Sequence, residues 1–339
     1  MNFKNLYGNK ALEKTIKQFI VKGNMPHAIL LSGMEGIGKF LFARAIAVEI
    51  VAKHSDEKYE KIDESENLCE QLNILYVIPT GTKGSGNNGV FNRNDYFKTL
   101  SSLNSNENNY AYTIPLGYIQ YIISQLKYKS FHNEDRVVII RDAHYMTREA
   151  QNALLKILEE PPDRVFFILT TANEDKLLPT IISRCAKYLM SGLNEEEMNL
   201  FLSKIDTDIR GKRLLTLLAN GSPGILLKYS KFDVIDIADS LALSIKEGKF
   251  TKLIAKIEKS IKSNKENKKI ILKIYKEIFF LMLYYNYIDN NNIFDYDFHL
   301  QKDRVERVLD KLIEMEKNSI YNLSWETEWG VMFYNLIGG

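Results

Sequence analysis

The run Gly33-Met34-Glu35-Gly36-Ile37-Gly38-Lys39 follows the apolar stretch Ala28-Ile29-Leu30-Leu31 and leads into a helical pattern over residues 40–51. Strand, glycine loop and helix form the context in which the pattern G-x-x-x-x-G-K is a phosphate-binding loop. Backbone N–H groups and the positive end of the helix then face an anion, and the lysine reaches the outer phosphates. That arrangement needs a buried strand ending at a helix start, and so an α/β fold. The next position should be Ser or Thr, whose hydroxyl holds the magnesium that bridges the β- and γ-phosphates. It is Phe40, which has no lone pair for a metal. The loop can still present N–H groups and Lys39, but it is poorly equipped for hydrolysis.

The rest of the chain extends the α/β pattern. Residues 10–22 place Leu12, Ile16, Phe19 and Ile20 on one helical face. Residues 74–78, 137–140 and 165–169 read as strands, and the fully apolar Val137-Val138-Ile139-Ile140 suits the centre of a parallel sheet. Residues 115–128 read as a helix, and Thr147 as the cap of another that ends before Pro161-Pro162. The Gly-, Asn- and Ser-rich stretch 80–111 reads as a flexible insertion. No convincing strand follows Asn194. Residues 241–280 carry eleven lysines and four glutamates, often three apart.

Composition excludes several classes. Net charge is +2, so nucleic acid or a membrane would have to be met by a local patch. Cys69 and Cys185 form no disulfide framework and no zinc pattern, and two cysteines suit a reducing cytoplasm. Neither a signal peptide nor a stretch long enough to span a bilayer is visible. No carboxylates are arranged for a two-metal polymerase or nuclease site.

Five blocks then stand in order: His27-Ala28-Ile29-Leu30; Asp142-Ala143-His144; the run from Asn152-Ala153-Leu154-Leu155-Lys156 to Glu159-Glu160-Pro161-Pro162; Ser183-Arg184-Cys185; and Ala219-Asn220-Gly221-Ser222-Pro223-Gly224. Together they resemble the bacterial DNA polymerase III clamp-loader subunits of the AAA+ family, densely over residues 5–230. The resemblance implies a P-loop α/β domain with a parallel sheet over 1–190, a small helical lid over 191–232 and an all-α collar over 233–339. Two kinds of subunit share these blocks, the gamma/tau ATPase and the non-motor delta-prime subunit. Where the ATPase has its metal-linked Asp, this chain has Arg141, and the following acidic position holds Asp142. Where the ATPase has a nucleotide-sensing Arg in its second domain, the place is Gly224. With Phe40, three parts of the hydrolytic machinery differ together, and the pattern looks like delta-prime.

The resemblance also implies that Arg184 points at the ATP of a neighbouring subunit; the plainer reading is a surface arginine that pairs with a local carboxylate. Partners would be gamma/tau and delta subunits, the sliding clamp and, through the assembled complex, primer-template DNA, with no membrane. A four-cysteine zinc module common in these subunits has no counterpart, since residues 53–78 contain Cys69 alone, so no zinc is expected. Gly33, Gly36, Gly38 and Lys39 leave two readings open, a fossil loop or weak ATP/ADP binding, and no cofactor is required. Two rival functions stay open: an active gamma/tau-like ATPase, and a clamp-loader-like binding protein in repair.

Other residues read more plainly. Cys185 is expected to be a small buried residue and His27 structural. Thr171 and Asn173 would cap a strand end, and His144 alone is a weak acid–base signal. Lys156 lies on a helix that could face DNA or water. Lys246, Lys249, Lys252, Lys256, Lys259 and Lys262 read as the wet side of a helix whose buried side is Leu253, Ile254, Ile257 and Ile261. Phe279, Phe280, Tyr284, Tyr285, Trp325 and Trp329 read as packing residues of an oligomerisation collar.

Overall fold

The computed structural model describes residues 6–53, 73–82, 111–126, 135–204, 211–263, 268–287 and 302–317. They divide into two compact units, Met1–Ile205 with Gly221–Gly224, and Asp206–Asn220 with Ile225–Gly339. Gly221–Gly224 thus group with the first unit and Asp206–Asn220 with the second.

The first unit is built on a five-stranded sheet of β1 (Ala28–Ser32), β2 (Ile74–Val77), β5 (Arg136–Ile140), β6 (Val165–Thr171) and β7 (Ala186–Leu189). Its order is β2-β5-β6-β1-β7, and every pairing is parallel. Side chains alternate between two hydrophobic layers, as strands covered on both faces require. Ile29, Leu31, Val137, Ile139 and Ile168 pack with Ile16 and Ile20 of α1 (Lys10–Lys22) and with Phe42, Ile46 and Ile50 of α2 (Lys39–Ala52). Leu30, Val138, Ile140, Phe167 and Leu169 pack with Ile119 and Ile122 of α3 (Leu116–Leu126) and with Leu154 and Leu158 of α4 (Arg148–Glu159). The expected helices on both faces are present.

Local chemistry sets the element ends. The Thr147 hydroxyl accepts from Ala150 N at 3.2 Å, the cap read from the sequence. Pro161-Pro162 follows α4 after its C-cap, Glu160. His27 Nε2 lies 3.1 Å from Leu158 O, which ties the last turn of α4 to the start of β1 and bears out its structural reading.

Two features correct the sequence reading. β7 was not anticipated. It is an edge strand whose residues alternate between half-buried and exposed, so its hydrophobic signal is weak. The ends of the 80–111 insertion are also not loop. Thr80–Thr82 (β3) and Ala111–Thr113 (β4) pair antiparallel, and the stretch between them lies outside the described residues. So do Cys69, most of the 53–78 region, Trp325 and Trp329.

The first unit also holds α5 (Pro179–Ile182), just before β7, and α6 (Glu195–Ser203), after it. Asn194 and Glu197 close a reciprocal capping box at the start of α6. The second unit holds α7 (Lys212–Ala219), α8 (Pro223–Tyr229) from Ile225 onward, α9 (Val234–Glu247), α10 (Thr251–Ser263), α11 (Lys268–Tyr287) and α12 (Lys302–Lys317). No strand follows Asn194 among the described residues. Ile237, Leu241 and Ile245 of α9, Leu253 and Ile257 of α10, Tyr275, Ile278 and Phe279 of α11 and Val305 and Val308 of α12 are buried. Ile254 and Ile261 are only half-buried, so the buried side of α10 is narrower than its pattern suggests. Lys256 departs from the expected wet stripe: its Nζ lies 2.7 Å from Asp236 Oδ1 and also reaches the Ser240 hydroxyl, pinning α10 to α9. No described helix is long and apolar enough to cross a membrane.

Candidate phosphate site and a remote arginine

The order β5-β6-β1 brings three strand ends together at the carboxyl edge of the sheet. There the chain from β1 turns into the glycine loop, β5 runs into Arg141-Asp142, and β6 ends at Thr170-Thr171. Ligands of open parallel sheets bind outside such an edge. Gly33 sits at φ 152°, and a Cβ there would lie 2.4 Å from Met190 O, so only glycine fits. Lys39 begins α2 and curls back, with Nζ donating to Gly33 O at 2.8 Å and Met34 O at 2.6 Å. The ammonium thus sits inside the loop, and it is only 6% exposed. Burial pushes its pKa below the ordinary lysine value, opposed by the nearby carboxylates of Asp142 and Glu35.

Phe40, which follows the loop lysine, and Arg141, which follows β5, touch each other. The Arg141 guanidinium carbon lies 5.1 Å from the centre of the Phe40 ring, and Phe40 meets Tyr76 edge-on at 5.9 Å. Arg141 Nε lies 3.3 Å from Asp142 Oδ2. The carboxylate of Asp142 is therefore shared with a guanidinium. An aromatic ring and a guanidinium thus lie together beside the loop, and a cation at that place would oppose a divalent ion.

Around them, Asp142 N donates to Thr170 Oγ1 at 2.9 Å, with Asp142 held at φ 49°. Thr171 Oγ1 accepts from Asn173 N at 3.1 Å and lies 3.2 Å from His144 Nδ1. This closes the strand end as expected. It also gives His144 a partner, and burial holds its pKa below the usual histidine value.

Residues 222–224 grip the loop from outside, a role the sequence reading did not assign. The Ser222 hydroxyl donates to Glu35 O at 2.8 Å, and Gly224 N donates to Gly36 O at 3.0 Å. A Cβ on Gly224 would lie 2.9 Å from both Gly36 Cα and Gly36 O. Neither backbone atom can rotate away as a side chain would. Gly224→Ala should therefore cost roughly 1–3 kcal/mol in overpacking strain, read as a lower urea midpoint at unchanged slope.

Arg184 is elsewhere. It follows α5 and precedes β7, at the edge where the strands begin. The last turn of α4 is fixed to that same edge through His27. There Arg184 Nη2 pairs with Glu159 Oε1, and Nη1 donates to Thr180 O at 2.9 Å. The loop lies at the opposite edge, across the five residues of β1. At about 3.3 Å per residue that is a separation of order 15 Å. Arg184 cannot serve its own chain's loop. Cys185, next to it, is buried, and its thiol is pushed up to about 12, so it is inert as a nucleophile. Lys156 is exposed on α4. Among the described residues no group of three or more His, Cys, Asp and Glu side chains could hold a metal ion.

A parallel sheet with a lysine-filled glycine loop at the carboxyl end of a central strand defines a phosphate-loop α/β protein. Residues 8–194 match the family model described as DNA polymerase III, delta subunit, and the chain belongs to that family. Curated relatives carry other subunit names. The chain is 28% identical over 226 residues to DNA polymerase III subunit gamma of Buchnera aphidicola, covering 65% of this chain and 55% of that protein. It is 26% identical over 227 residues to subunit tau of Escherichia coli, covering 66% of this chain and 31% of that protein. The chain thus spans about a third to a half of the length of these relatives. Among solved structures, a gamma-subunit-related protein of Thermotoga maritima aligns over 94% of this chain and 96% of its own at 17% identity and a TM-score of 0.46.

Proposed function

We propose that the chain is a clamp-loader subunit of the delta-prime type, which turns over no ATP at its own loop and lends Arg184 to a neighbour's ATP site. On this reading it joins gamma/tau and delta subunits in a cytoplasmic AAA+ assembly that loads a sliding clamp onto primed DNA. The observation that carries the reading is the contact between Arg141 and Phe40 at 5.1 Å. Two residues unsuited to magnesium occur together and stack on one another, so the site has been rebuilt as packing. The position of Arg184 at the far edge of the sheet supports action in trans. Its pair with Glu159 is partly exposed, at 32% and 48%, and such pairs are worth only ~0–1 kcal/mol.

A second reading, an active gamma/tau-like ATPase, is the one the names of the curated relatives favour. It needs magnesium held through water beside Arg141. Turnover separates the two. The purified chain with magnesium and labelled ATP should release no phosphate above the uncatalysed background. Release that disappears in Lys39→Ala would make the gamma/tau reading the better one. A repair role is the outcome if the chain fails to assemble with replicative subunits.

A further inference from the structure

Glu159 breaks a local rule. It is the last residue of α4 and is followed by Glu160, and carboxylates at a helix C-terminus are disfavoured by the helix dipole. Places where a sequence violates a local preference are often functional. The charge is answered from outside the helix, by Arg184 twenty-five residues later.

The backbone that carries Arg184 is held tightly. Ser183 N donates to Pro179 O at 2.9 Å, Arg184 N to Ile181 O at 3.1 Å and Cys185 N to Ile182 O at 3.3 Å. Ile181 and Cys185 anchor this turn in the core below it. The long arginine side chain reaches out from this turn, and two contacts hold it. Thr180 O takes Nη1, and the Glu159 carboxylate takes Nη2. A guanidinium gripped at both terminal nitrogens has one orientation rather than many, and it keeps further N–H donors to offer.

We infer that Glu159 is a positioning residue, which orients the Arg184 guanidinium for the phosphate of a neighbouring subunit. The inference rests on the trans reading given above. Preorganisation matters here because an arginine with free rotamers must be ordered in each catalytic cycle, and small misplacements of a catalytic group are costly.

The test uses the assembled complex with ATPase partner subunits, with assembly checked by size-exclusion chromatography and kcat and KM for ATP measured separately. Glu159→Ala should lower kcat by roughly ten- to a hundredfold, the cost of a group misplaced by about an ångström. KM should change little, since the neighbour's own loop binds the nucleotide. Glu159→Gln, which keeps an acceptor oxygen, should recover most of the loss. Glu159→Ala added to Arg184→Ala should lower kcat no further, because the two act as one unit. Unchanged kcat in Glu159→Ala, with Arg184→Ala impaired, overturns the positioning role and leaves the trans reading standing. A full additional loss in the double variant overturns it too. Normal turnover in Arg184→Ala overturns the trans reading itself, and this inference with it.

Discussion

Arg184→Ala in the assembled complex should lower ATP turnover by about 10³-fold, the lower end of what arginines supplied in trans contribute to phosphoryl transfer in GTPases. The expectation follows from position. The guanidinium sits at the edge where strands begin, roughly 15 Å from its own loop by strand rise, in a turn held by backbone hydrogen bonds from Ser183, Arg184 and Cys185. Its partner, Glu159, is half exposed. The variant should fold and assemble normally, because removing an exposed pair costs at most ~1 kcal/mol. A loss in turnover without a loss of assembly is therefore the expected signature, measured by phosphate release from complexes of equal composition.

The second large effect concerns the metal place. The double substitution Phe40→Ser with Arg141→Asp should convert nucleotide binding from magnesium-indifferent to magnesium-dependent. It replaces a ring and a cation by the hydroxyl and carboxylate that hold the ion in active loops. The charge at that point changes from positive to negative. The resulting gain in affinity with magnesium over EDTA should reach tenfold or more, equivalent to ~1.4 kcal/mol. Arg141→Asp alone should do less, because Phe40 still fills the space. Equilibrium titration with a fluorescent ADP, with and without magnesium, reads this directly. An equal response to magnesium in wild type and double variant would show that the Phe40–Arg141 contact does not decide metal binding.

The sheet was legible in the sequence where burial is two-sided. Val137-Val138-Ile139-Ile140 and Ala28-Ile29-Leu30-Leu31 are apolar at every position because helices cover both faces. β7 was not legible, since an edge strand with Lys187 and Leu189 turned outward has no such run. The hairpin at the ends of the insertion was hidden for a different reason: its strands are three residues each and their partners are far apart in sequence.

At the site, Phe40 stands out against the phosphate-loop pattern and Arg141 against the family resemblance, but their contact could not be read from the sequence. Their positions are a hundred residues apart, and only the adjacency of α2 and β5 brings them together. The grip of Ser222 and Gly224 on the loop was likewise invisible. Gly224 reads as a missing arginine in sequence, and in the fold it is a glycine demanded by a backbone approach of under 3 Å. Glu159 gave one signal that could have been used, a pair of carboxylates at a helix end where basic residues are preferred.

If this chain's own loop is idle while its arginine works next door, Lys39→Ala and Arg184→Ala should part ways in otherwise identical complexes. Lys39→Ala should leave clamp- and DNA-stimulated ATP turnover close to wild type, while Arg184→Ala should nearly abolish it. Lost turnover in Lys39→Ala with normal turnover in Arg184→Ala would instead make this chain a working ATPase.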